Sequence, residues 1–176
     1  DKIGTTIFAA YNTNSPFDPA DIGLSAIPKF NRFTFNPKVF LYPSSRTDVE
    51  FGLNLSIEDR VGGNMNYLNG DRENQQAFFE RNLSERISSQ FVLNHEMGEG
   101  RKLQVKNSYN HFGRKLGTRN YDFNAVQQST FTEVNYRLDR DKTDWVIGGN
   151  LWTEIFKEEQ TNSFPVRDYN LNTFGA

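Results

Sequence analysis

The chain has 176 residues, the span of one domain, with 20 Lys+Arg against 22 Asp+Glu and a formal charge of -2. That balance leaves no excess of basic side chains to neutralise phosphates, so nucleic acid is not an expected partner. Cys is absent, which removes disulfide scaffolds and Cys-based zinc sites, and no apolar run reaches the length of about 18 residues that a membrane-spanning helix needs.

Only 36% of residues are hydrophobic, yet 14% are aromatic, with 16 Phe and 7 Tyr. Mean hydropathy is -0.71. An average of this kind cannot separate a polar soluble protein from a sheet that shows apolar side chains on every second residue. Periodicity decides between them.

In chain order, a weaker strand signal at Ile3–Tyr11 is followed by Arg32–Tyr42, with Phe33, Phe35, Val39 and Leu41 on one face and Phe40 and Tyr42 breaking the pattern. Thr47–Glu58 is the clearest segment. Val49, Phe51, Leu53, Leu55 and Ile57 alternate strictly with Asp48, Glu50, Gly52, Asn54, Ser56 and Glu58. Leu83–Glu96, Lys102–Phe112, Val126–Leu138 and Asp144–Phe156 follow, and a weaker run, Arg167–Phe174, closes the series. No segment carries a helical period. The expected fold is all-β, an antiparallel up-and-down meander of about eight strands in a single domain spanning residues 1–176.

A continuous apolar face requires that paired residues lie on the same side, which fixes the parity of each hairpin loop. A three-residue loop Pro43–Ser45 pairs Val39 with Val49 and Phe35 with Leu53. The loop Gly98-Glu99-Gly100 pairs Met97 with Arg101 and Leu93 with Val105, with Gly available for a left-handed position. Four residues, Asp139–Lys142, pair Tyr136 with Trp145 and Val134 with Ile147. The other connections, Tyr11 to Arg32, Asp59 to Leu83, Phe112 to Val126 and Phe156 to Arg167, read as long polar loops. Short and long connections therefore alternate, the asymmetry of outer-membrane barrels. A soluble eight-stranded ligand carrier is the structural alternative. The Asn, Ser, Gln, Thr and Gly on the polar faces, and strands longer than the roughly 9–11 residues needed to cross a bilayer, favour the membrane barrel.

The stretch Ile27-Pro28-Lys29-Phe30-Asn31-Arg32-Phe33-Thr34-Phe35-Asn36-Pro37-Lys38, with Phe40-Leu41-Tyr42-Pro43, resembles the barrel of TonB-dependent outer-membrane receptors of the Bacteroidetes type. So do Glu58–Gly63, Thr132–Tyr136, Trp145–Thr153 and Asp168–Ala176. The resemblance implies nutrient uptake through the outer membrane, of a metal chelate, a cobalamin-like cofactor or a glycan. It also implies energy coupling by TonB through a plug that is absent from this chain. Eight strands are too few for the 22-stranded barrel of that family, and the last residues, Phe174-Gly175-Ala176, fall inside an apparent strand. The chain is therefore expected to be a barrel segment. A small structural or adhesive outer-membrane barrel shares the same topology.

Catalysis is not expected, and neither is a metal or a cofactor. His95 and His111 are the only histidines, and the hairpin register sets them several residues apart, near Leu103 and Ile87. No Gly-x-Ser-x-Gly elbow is present. Glu50, Glu58, Glu133 and Glu154 read as charges on the polar face rather than as acid–base pairs. Ligand contacts are expected in the loop Asp59–Arg81, where Arg60, Tyr67, Asp71, Arg72, Phe78 and Phe79 combine both charge signs with aromatic rings. Trp145, Trp152, Tyr42 and Tyr136 are expected to form interfacial belts.

Overall fold

The computed structural model describes residues 2–70, 77–161 and 163–176. It contains one eight-stranded antiparallel sheet in strict sequence order, a meander with no crossover. The strands are β1 (Ile3–Asn14), β2 (Lys29–Ser44), β3 (Thr47–Gly63), β4 (Phe79–Gly98), β5 (Arg101–Thr118), β6 (Asp122–Arg140), β7 (Thr143–Glu158) and β8 (Tyr169–Gly175). Among the described residues β1 and β8 do not pair with each other, so the sheet is open at both edges.

Each strand runs beyond its sequence-read bounds at one end or both, and β8, which reaches Gly175, begins later than expected, at Tyr169 instead of Arg167. The three short turns keep the expected parity but are tighter. Leu93 pairs with Val105 as the spacing requires, but Met97 is bulged out and Gly98 stands opposite Arg101. Gly98, Glu99 and Gly100 all have positive φ, the conformation the glycines were expected to supply. The first hairpin pairs Leu41 with Val49 and Phe35 with Leu55, two residues from the expected register, with a bulge before Ser44. The last hairpin pairs Leu138 with Trp145 and Tyr136 with Ile147, again two residues away. A slip of two leaves every side chain on its face, so an argument from faces cannot detect it.

The connection read between Phe112 and Val126 is a correction. β5 and β6 continue to a turn of three residues, Arg119-Asn120-Tyr121, where the Thr118 N–H donates to the Tyr121 carbonyl at 2.8 Å. Short and long connections therefore do not alternate strictly. The second long loop is also shorter than expected, because Asp59–Gly63 belongs to β3 and Phe79–Arg81 to β4. It opens with one helical turn, α1 (Met65–Leu68), where no helix was expected. Asn64 caps that turn, its side-chain oxygen accepting from the Asn66 N–H at 2.9 Å and the Tyr67 N–H at 3.3 Å.

The loop 15–28 folds back on itself through a Phe17–Ile27 bridge and is pinned to this corner. The Ser25 N–H donates to the Gly63 carbonyl at 2.8 Å, the Met65 N–H to the Gly23 carbonyl at 2.9 Å, and the Gly63 N–H to Ser25 Oγ at 2.9 Å. Gly63 sits at φ +128, and a Cβ there would lie 2.3 Å from the Phe78 carbonyl oxygen. Gly63→Ala is expected to destabilise the fold by at least about 1–3 kcal/mol, because backbone on both sides resists the shift. Urea unfolding of the two variants in micelles checks this.

Candidate functional site

Pairing registers sort the side chains into two faces. One carries Val49, Phe51, Leu53, Leu55 and Ile57 of β3, beside Leu41, Val39, Phe35 and Phe33 of β2 and Leu93, Phe91 and Ile87 of β4. It continues through Leu103 and Val105, then Val134, Tyr136 and Leu138, to Trp145 and Ile147. No large side chain is fully buried among the described residues, and the buried apolar residues are only Ala77 and Ala125. The surface totals 12149 Å². A compact protein of 20.3 kDa would expose about 8,800 Å². This sheet has no hydrophobic core of its own.

The opposite face is a ladder of charge-assisted hydrogen bonds. Lys38 Nζ and Gln90 Nε2 each donate to Glu50 Oε1 at 2.8 Å. Asn94 donates to Asp48 at 2.7 Å, and Gln104 donates to the Asn94 side-chain oxygen at 2.8 Å. Lys106 at 2.9 Å and Asn135 at 2.8 Å share Glu133 Oε1, while Arg32 Nε donates to Glu58 at 2.6 Å. The four carboxylates Glu50, Glu58, Glu133 and Glu154 stand on this face as expected. Glu154 accepts the Tyr169 hydroxyl.

On β5–β8 the apolar side chains change face along the strand. Toward the short turns they lie with Leu103, Val134 and Ile147, as above. Toward the loops that face becomes mixed: His111, Lys115, Asn124, Gln128, Thr130, Thr153, Asn170 and Asn172 stand there beside Val126 and Ile155. The other face there holds Phe112, Phe123, Phe131, Trp152, Phe156, Tyr169 and Leu171. Phe156 stacks on Tyr169 with centroids 5.2 Å apart, and Phe131 meets Trp152 at 6.1 Å. Arg86 lies over the Phe112 ring at 4.9 Å.

The residues singled out in the loop Asp59–Arg81 do not form one site. Arg60 lies on the polar face, 4.0 Å from Glu58. Tyr67 and Phe79 do come together, stacked at 4.6 Å and 8°, but beside the other face. There Arg81 makes a two-pronged contact with Asp59 at 3.0 and 2.7 Å. With Lys29, Asn31, Val61 and Leu68 these groups line an open trough of about 340 Å³. Phe78 is exposed, and Asp71 and Arg72 lie outside the described residues. The aromatic belt is likewise divided. Trp145 and Tyr136 lie on the apolar face, but Trp152 and Tyr42 lie on the polar one. His95 contacts Thr47 at 2.9 Å, and His111 contacts Gln128 and Glu85 at 3.4 and 3.7 Å.

The aromatic wall was not singled out from the sequence. Its signal was present in the residues that broke the period of two, Phe131 and Phe156, once their faces are known.

At the loop end of β7, Arg167 donates to Glu158 Oε2 through its side chain at 3.0 Å and its backbone N–H at 3.1 Å. This partner holds the Glu158 carboxyl below the usual carboxylate range. A depressed carboxylate stabilises the folded state above its unfolded pKa and loses that contribution as pH falls through the folded value. Acidification through that window is therefore expected to speed hydrogen exchange at the Arg167 amide. Glu158→Gln should show the faster exchange at neutral pH and little further change in acid.

No family model matches the chain, and no curated protein matches it. Among solved structures it is similar to the translocator domain of autotransporter NalP from Neisseria meningitidis, at 11% identity and a TM-score of 0.44. The match covers 99% of this chain and 58% of that one, so the chain spans little more than half of that domain's length.

Proposed function

We propose that this chain forms part of the wall of an outer-membrane β-barrel, as a segment of a TonB-dependent receptor that takes up a scarce nutrient. The observation that carries the reading is the uncovered apolar face, running from strand to strand, backed by an ion-paired polar face. Lipid covers the first and a hydrated lumen bathes the second. The apolar run drifts along the sheet as tilted strands in a level bilayer require. Leu53 at the centre of its run on β3 stands in one row with Ser89, Tyr109 and Thr130, whereas the apolar residues of that face on β6 cluster at Val134, Tyr136 and Leu138, nearer the short turns, with Val126 alone toward the loops.

Stagger supports a wall over a closed small barrel. Hydrogen-bond rows lead from Phe174 of β8 back to Thr5 of β1, and from Asn170 to Ala9. Closing eight strands at the usual tilt displaces the last strand along the first by roughly eight residues. With β1 ending at Asn14, a displacement toward that end would leave β8 meeting only its tip. The eight-stranded soluble carrier therefore finds little support. The TonB-dependent assignment rests on the sequence resemblance of residues 27–38, 40–43, 58–63, 132–136, 145–153 and 168–176. Its partners are outer-membrane lipid, a small nutrient ligand, and TonB acting through a plug supplied from outside these residues. As a wall segment the chain contributes to transport and recognition, and transport is not a property of it alone.

Leu53→Arg is expected to cost about 2–4 kcal/mol of folding stability in bilayers, with Asn54→Arg much milder. Refolding into vesicles at several urea concentrations measures both, and equal tolerance would contradict a lipid-facing β3. A protease-cleavable tag after Gly70 should be cut on intact cells, while one after Glu99 should be protected. Cutting at Glu99 alone would reverse the topology.

A further inference from the structure

We propose that the trough beside α1, on the outer face of β2–β4, holds the phosphate headgroup of an outer-leaflet lipid whose acyl chains lie on the apolar belt next to it. The inference rests on the barrel reading and deepens it by assigning one lipid chemistry to one site. The trough lies at headgroup depth. The apolar runs of β2 and β3 end at Phe33 and Ile57, with Tyr11 of β1 beside them. Two residues nearer the loops stand Asn31 and Asp59, and two further on come Lys29, Val61 and Arg81. At about 6.8 Å for every two residues, and with the tilt of a barrel strand, these rows lie roughly 5–10 Å beyond the last apolar one, where headgroups begin. Tyr11 marks the boundary. It shares a row with Phe33, while its hydroxyl donates to Asn31 Oδ1 at 3.2 Å, one row nearer the loops, the posture of an interfacial tyrosine.

The hydrogen-bonding inventory of the trough selects the headgroup. Its acceptors are spent: both Asp59 oxygens are taken by Arg81, and Asn31 Oδ1 accepts from Thr13 at 2.9 Å as well as from Tyr11. Its donors are not. Among the described residues the Lys29 ammonium, the Asn31 side-chain nitrogen, Arg81 Nη1 and the Tyr67 hydroxyl have no hydrogen-bond partner. Open donors with two cations against one carboxylate suit a ligand that is anionic and only accepts, as a phosphate is. The one other carboxylate on this face of β2–β4 is Glu85, which lies 3.7 Å from His111. Lys29 and Arg81 both stand opposite Val61, so their Cα atoms are about 10 Å apart and their long side chains can close on one phosphate. α1 supplies the remaining wall through Leu68 and through Tyr67, held by its stack on Phe79. Continuity selects a lipid over a free anion. Val61 and Leu68 line the trough, and Ile57, Phe33 and Leu83 follow within one or two rows toward the belt. A soluble anion gains nothing from that apolar border, whereas a lipid buries its chains there.

The test uses the full-length outer-membrane protein that carries these residues, extracted in detergent and titrated with monophosphoryl lipid A while native mass spectrometry counts the copies bound. One copy should bind well ahead of the rest. Lys29→Gln, at an exposed residue with no partner to lose, should weaken that copy about tenfold, and Lys29→Arg should restore it. Lys157→Gln, on the same face of β7 but outside the trough, should leave it unchanged. The same lipid stripped of its phosphate should bind without a preferred copy. Equal binding of the stripped lipid, indifference to Lys29→Gln, or an equal loss with Lys157→Gln would overturn the proposal, as would displacement of the lipid by millimolar inorganic phosphate. If any of these came while Leu53→Arg remained far more damaging than Asn54→Arg, the trough site alone would fall. If Leu53→Arg were as mild as Asn54→Arg, the barrel reading would fall with it.

Discussion

An antiparallel sheet with a period of two on strand after strand sorts its side chains into one wettable face and one that water covers only at a cost. Among the described residues nothing covers the apolar runs of the second face, and residues 15–28 and 64–70 meet at the ends of β2–β4. At roughly 25 cal/mol per Å² of apolar surface, each 1,000 Å² left in water forgoes about 25 kcal/mol. That exceeds the net stability of a typical domain, about 5–15 kcal/mol. The apolar face therefore needs a partner that the described residues do not supply, and every functional inference follows from what that partner is.

With lipid as the partner, the remaining features become consequences of it. Backbone groups in hydrocarbon must pair with neighbouring strands, which the meander does everywhere except at its two edges. Beside the apolar runs of β2 and β3 the charges stand on the opposite face and pair there, as Lys38–Glu50 illustrates, and Asp59, Arg81, Glu85 and Lys115 join the apolar face only toward the long loops. β4, at 20 residues, is about twice the length that spans a bilayer. Its surplus, like that of β5 and β6, projects into water on the loop side, and there the faces are free to exchange character.

Much of this was legible in the sequence, and the parts that were not share one cause. Alternation at Thr47–Glu58 and the glycines at 98–100 set strand, face and turn without reference to anything distant. Parity fixed the face of each hairpin but not its register, so Phe35 meets Leu55 where Leu53 was expected. Phe112–Val126 read as a loop because the apolar residues there cross to the other face, which removes the alternation that marks a strand. The candidate loop residues separated for a related reason: Arg60 shares the parity of Glu58, while Asp59 and Arg81 pair across the opposite face. Only the pairing of Gly63 with Phe79, distant in sequence, brings Tyr67 onto its ring.

The central claim is that one face of β3 meets lipid while the other meets water. Nitroxide labels placed singly along Thr47–Val61, in the protein inserted into bilayers, test it through collision with oxygen and with a water-soluble nickel chelate. Oxygen contact should peak at positions 49, 51, 53, 55 and 57 and nickel contact at the residues between, with the oscillation dying out beyond Asp59. High nickel contact at the odd positions, or no alternation at all, would contradict the account.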